Sequence, residues 1–115
     1  MMDSQQFIDL LRVVVRDGAA SEVMNVLQKP PGSRPPEDLV ERSKWYSSLD
    51  DKQKRILSSI VLDAADRAVF GFLCVIDGVH SIENESEKGR LELLHVKNGS
   101  VLLNPPRGAM LHDLW

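Results

Sequence analysis

Apolar residues recur at helical spacing along much of this chain, and the longest such run lies between Leu49 and Gly78. Ser47 and Ser48 are each followed three residues later by an aspartate, Asp50 and Asp51. Either serine can therefore cap a helix start with a carboxylate reaching back. The two aspartates also put negative charge in the first turn, where the helix dipole favours it. Gly78 can adopt the left-handed conformation that closes a helix. Unbroken, the segment would span roughly 40 Å at ~1.5 Å per residue. Projected at about 100° per residue, Leu57, Ile60, Val61, Ala64, Ala68, Gly71, Phe72 and Val75 fall on one broad side. Lys52, Ser59, Asp63, Asp66 and Asp77 fall near the other. From Ala68 to Ile76 the run is apolar all round, which predicts burial on every side. It is shorter than the ~20 residues of a membrane span. Ala64, Ala68 and Gly71 form a small-residue seam where a neighbouring backbone can approach closely, so the pattern predicts a second helix crossing there.

Upstream, Phe7, Leu10, Leu11, Val14 and Val15 predict a helix from Ser4 to Arg16, capped by Asp3 or Ser4 and ended by Asp17-Gly18. The β-branched run Val13-Val14-Val15 would also suit a strand. A second helix from about Ala20 to Gln28 places Val23, Met24 and Leu27 inward. Residues 1–28 thus read as an αα-hairpin laid across the small-residue seam. Residues 29–36 (KPPGSRPP) hold four of the six prolines and predict an extended connector. Residues 37–78 read as a helix from Glu37 to Ser47, carrying Leu39, Val40, Trp45 and Tyr46, followed by a sharp turn into the central helix.

Downstream, the polar stretch 81–89 predicts a loop, and residues 90–104 a β-hairpin about Asn98-Gly99. A two-residue turn would pair Val96 with Val101 and Leu94 with Leu103 on one face. His95, Leu102 and Leu93 would share the other. Residues 109–115 (AMLHDLW) predict a short terminal helix that folds back, since Met110, Leu111, Leu114 and Trp115 are too apolar to remain in water. The fold class is mainly α within an α+β description: an αα-hairpin and a further helix on one long central helix, then a β-hairpin and a short terminal helix.

At 115 residues the chain suits one domain with one core. Its 43% hydrophobic and 27% charged residues are ordinary for a globular protein. A net charge of −3 argues against a nucleic-acid ligand, which ordinarily leaves a basic patch. The one dense basic cluster, Lys52-Gln53-Lys54-Arg55, directly follows two aspartates and reads as a solvated face. The lone Cys74 lies inside the apolar run, so it reads as a buried thiol with no disulfide role. The first residues lack the basic region and cleavage site of a signal peptide. These features together lead to the expectation of a cytoplasmic protein.

Candidate chemistry is sparse. Asp63, Asp66 and Arg67 line the polar edge of the central helix, and paired carboxylates can share a proton or hold a cation. Asp63 and Arg67 are four apart, the spacing of a helical ion pair. His80, His95 and His112 match no metal-ligand spacing, and His112-Asp113 lacks an identifiable nucleophile. No cofactor or metal is therefore expected. The surplus of apolar surface on the hairpin and tail instead makes Leu91, Leu93, Leu102 and Trp115 interface candidates and predicts a symmetric homodimer. The reading favours a small, acidic, non-enzymatic protein that acts through a protein partner, such as an immunity- or inhibitor-type protein. The alternative is a small-molecule or metal-dependent enzyme built on Asp63, Asp66 and Arg67.

Overall fold

The computed structural model describes residues 1–80 and 89–115. The long helix, α4, runs Asp51–Ile76, and its cap is Asp50, two residues beyond Ser48. Asp50 accepts a hydrogen bond from the Gln53 main-chain N–H at 2.7 Å, while the Gln53 side chain accepts the Asp50 N–H at 2.9 Å. Ser47 and Ser48, expected as caps, turn their hydroxyls back to the Ser43 and Trp45 carbonyls of α3 (Glu37–Ser47). Backbone conformation decides between them. Ser48 is still helical, whereas Asp50 is extended (φ −76°, ψ 173°), as a side chain must be to reach the N–H three residues on. At the far end Gly78 takes φ +78°. It donates to the Val75 carbonyl at 3.1 Å, and Val79 donates to Cys74 at 2.9 Å, which closes the helix.

The N-terminal segment differs from the expected αα-hairpin. Helix α1 (Ser4–Leu11) passes through a π-helical segment (Arg12–Asp17) into α2 (Gly18–Gln28) without a turn. Gly18 is helical, at φ −60° and ψ −47°, and its N–H reaches back to the Val13 carbonyl. Glycine here continues the helix, and the wider π turn absorbs the valine run. Val13, Val14 and Val15 consequently face outward, while Arg12 and Arg16 turn inward.

Strands β1 (Leu94–Val96) and β2 (Ser100–Leu102) form the expected antiparallel hairpin, slipped by one residue from the expected pairing. Leu94 faces Leu102, His95 faces Val101 and Val96 faces Ser100. Lys97 joins the loop and donates to the Gly99 carbonyl at 2.8 Å, with Asn98 at φ +52° and Gly99 at φ +131°. A one-residue slip turns β2 over relative to β1. Leu93, His95, Val101 and Leu103 now point inward, and Leu94, Val96 and Ser100 outward. The polar loop expected over 81–89 lies, apart from Gly89, outside the described residues.

The core sits where α1, the C-terminal end of α4, the hairpin and α5 (Leu111–Leu114) converge. Ile8, Leu73, Leu103 and Leu111 are buried at its centre, with Phe7, Val69, Leu93 and Trp115 packed around them. The tail folds back as expected. Helices α2 and α3 also pack on each other, and Ala20 and Leu27 of α2 and Tyr46 of α3 are buried.

Helix α4 itself departs from the expected all-round burial. The π segment and α2 cover one side of it and α5 its end. The other side is bare: Ile56 is 50% exposed, Ile60 59% and Phe72 63%, with Ala64 and Ala68 exposed between them. The cause is the missing hairpin. A single N-terminal helix can lie along one flank of α4, and among the described residues no second helix crosses the seam.

Candidate functional site

The acidic edge of α4 is divided between two partners. Asp63 accepts from Arg67 Nε at 2.9 Å, an exposed i,i+4 pair of the kind worth a few tenths of a kcal/mol. Asp66, one turn further along, accepts instead from Arg16 Nη1 at 3.2 Å. Arg16 also donates to Asp17 at 2.9 Å, and the two carboxylates, Asp17 first, hold its guanidinium more firmly protonated than usual. The three residues therefore do not converge on one point.

Arg16 belongs to a second arrangement that the sequence did not suggest. Its guanidinium lies 5.6 Å from the centre of the Trp115 ring, and that of Arg12 lies 5.3 Å from it, both within cation–π range. Arg12 also donates to the main-chain oxygens of Leu114, at 2.8 Å, and Trp115. The tail is thus clamped to the π segment. The i,i+4 spacing of Arg12 and Arg16 was visible, but the Trp115 ring lies about a hundred residues away in the chain.

Asp77 and His112 form a largely buried polar contact between the end of α4 and the start of α5. The Asp77 side chain, only 2% exposed, accepts from the main-chain N–H of His112 and meets its Nδ1, both at 2.8 Å. The sequence paired His112 with Asp113, which lies farther away, at 3.4 Å from Nε2. A carboxylate on Nδ1 orients an imidazole as in a base dyad. Here, however, Nε2 faces Asp113. Burial, and then the negative charges of Asp77 and Asp113, push the neighbouring Cys74 thiol upward, so it stays protonated. The dyad ties the start of α5 to the end of α4. Asn104, buried beside it, accepts from the Leu93 N–H at 2.8 Å and donates to the Leu91 and Ile76 carbonyls at 2.8 and 3.3 Å. Sequence reading saw only a hairpin end there.

The interface candidates are likewise separated. Leu93 and Trp115 pack against the core, Leu102 is half-buried and Leu91 is exposed. Among the described residues, two further apolar surfaces stand out. One is a cavity of about 310 Å³ between the N-terminal helix and the hairpin, lined by Phe7, Leu10 and Val14 on one wall and Leu93, Leu94 and His95 on the other. His95 Nδ1 is sealed from solvent and has no hydrogen-bond partner among the described residues. The other surface is the bare side of α4, a continuous ridge of Ile56, Ile60, Ala64, Ala68 and Phe72 flanked by the Asp63–Arg67 pair.

Among the described residues, no three His, Cys, Asp or Glu side chains are grouped as a metal would need, and no helix is long and apolar enough to cross a membrane. No protein-family model, curated protein or solved structure matches the chain.

Proposed function

We propose that this protein acts through protein–protein contact, receiving a helix of another polypeptide on the bare side of α4. The ridge of Ile56, Ile60, Ala64, Ala68 and Phe72 carries the reading. Monomeric proteins rarely leave a contiguous apolar patch of this kind in water. Its centre is small and its ends are large, the relief that a crossing helix fills when i±4n ridges interdigitate at about 50°. Inhibition of a partner, as by an immunity-type protein, is one form this contact can take. The buried, unpaired Cys74 thiol supports a reducing compartment, and we place the protein in the cytoplasm. An enzyme built on Asp63, Asp66 and Arg67 has less support, because separate arginines already hold the two carboxylates.

A photoreactive residue in place of Ala68, activated in living cells, tests the reading. An adduct heavier than one chain is expected at Ala68, with little or none at the exposed polar control Lys52. Equal yields at the two positions would contradict it.

A further inference from the structure

The size of the uncovered surface and the order of residues along it together identify an occupant. The chain exposes 8378 Å². A compact protein of this mass exposes about 6,300 Å². Residues 81–88 can account for at most roughly 1,300 Å² in total, the value for an unfolded segment of that mass. Roughly 780 Å² of excess remains, about the ~800 Å² that each partner contributes to a standard interface. The radius of gyration agrees, at 18.6 Å with extents of 50 × 36 × 29 Å. A compact chain of this length would have a radius near about 13 Å.

The ridge on α4 is also self-complementary. A twofold axis passing between Ala64 and Ala68 would set Ala64 of one copy against Ala68 of the other, where small side chains let the backbones approach. It would set Ile60 against Phe72, filling one copy's large side chains into the space beside the other's. Charge selects the direction of crossing. With the helices antiparallel, Asp63 of each copy comes beside Arg67 of its mate. With them parallel, the two Asp63–Arg67 pairs would lie on opposite flanks of the contact, and neither would reach its mate's. The pair is available for this exchange, since both side chains are largely exposed and bound only to each other.

We infer that the occupant of the bare face is a second copy of this chain, with the two α4 helices crossing antiparallel at Ala64 and Ala68. This rests on the reading of α4 as a contact surface and adds the identity of the partner and its direction. A symmetric pair needs only one surface, because the same patch serves both sides.

Light scattering on the purified full chain, combined with a charge exchange, tests it. The wild-type protein should have the mass of two chains at tens of micromolar. Asp63→Arg or Arg67→Asp alone should weaken the pair at least tenfold, because like charges then meet across the axis. The double variant should restore it. A one-chain mass throughout would overturn the second copy, whereas a heavy adduct at Ala68 in cells would still uphold contact with a different protein. A two-chain mass that neither single variant weakens would overturn the antiparallel crossing. Asp63 and Arg67 are exposed, so folding of the variants is read independently from their helical circular dichroism.

Discussion

Cys74 shows how much one residue's surroundings decide. Its sulfur belongs to a residue with 2% of its surface exposed, and both burial and nearby carboxylates disfavour the thiolate. Because its folded pKa is raised, the unfolded chain ionises first as pH climbs past the ordinary thiol value of about 8.5. Stability contributed by this group is therefore complete below that value and lost above it, up to the folded pKa. Denaturant unfolding between pH 8 and 10 should show a fall that Cys74→Ala reduces. An identical slope in the variant would mean that the thiol is not the titrating group. The burial of Cys74 was legible from the apolar run around it. The roles of Asp77 and Asn104 were not, because both are polar residues at element ends that sequence reading assigns to solvent. What buries them is the return of the tail and hairpin onto α4, a long-range event with no local signature.

At the scale of elements, the strongly periodic stretches were readable and the joints between them were not. Helices α3 and α4, the Asn98-Gly99 hairpin and the terminal helix all follow from spacing and turn chemistry. Gly18 was misleading, since glycine permits a left-handed turn without requiring one. The π segment next to it lets a helix continue where a β-branched run would otherwise break the pattern. The hairpin register failed on one residue, Lys97, which enters the loop. The continuous helix makes a direct prediction. A side chain at Gly18 would meet only the Val13 carbonyl, at an ordinary 3.7 Å, and the backbone there is helical. Gly18→Ala should therefore stabilise the protein by about 0.5–1 kcal/mol, through the lower entropy of the unfolded chain. A turn at this position would instead make the substitution destabilising, which a shift of the denaturant midpoint to lower concentration would reveal.

For the whole molecule, the expected and observed arrangements differ in what covers α4. Periodicity located the small-residue seam and predicted that a helix would cross it. Within one chain the N-terminal helix runs straight along the opposite flank and leaves the seam open. The same seam is then available to a second α4, so the expected crossing moves from within the chain to between two copies. Spin labels attached singly through cysteines at the exposed polar positions Lys52, Arg55 and Ser59, outside the seam, measure this directly. The native thiol does not interfere, being buried and protonated. An antiparallel crossing predicts the shortest distance between labels at Ser59, a longer one at Arg55 and the longest at Lys52, with each helix advancing ~1.5 Å per residue away from the axis. A flat profile, or no dipolar coupling at any of the three positions, would contradict it.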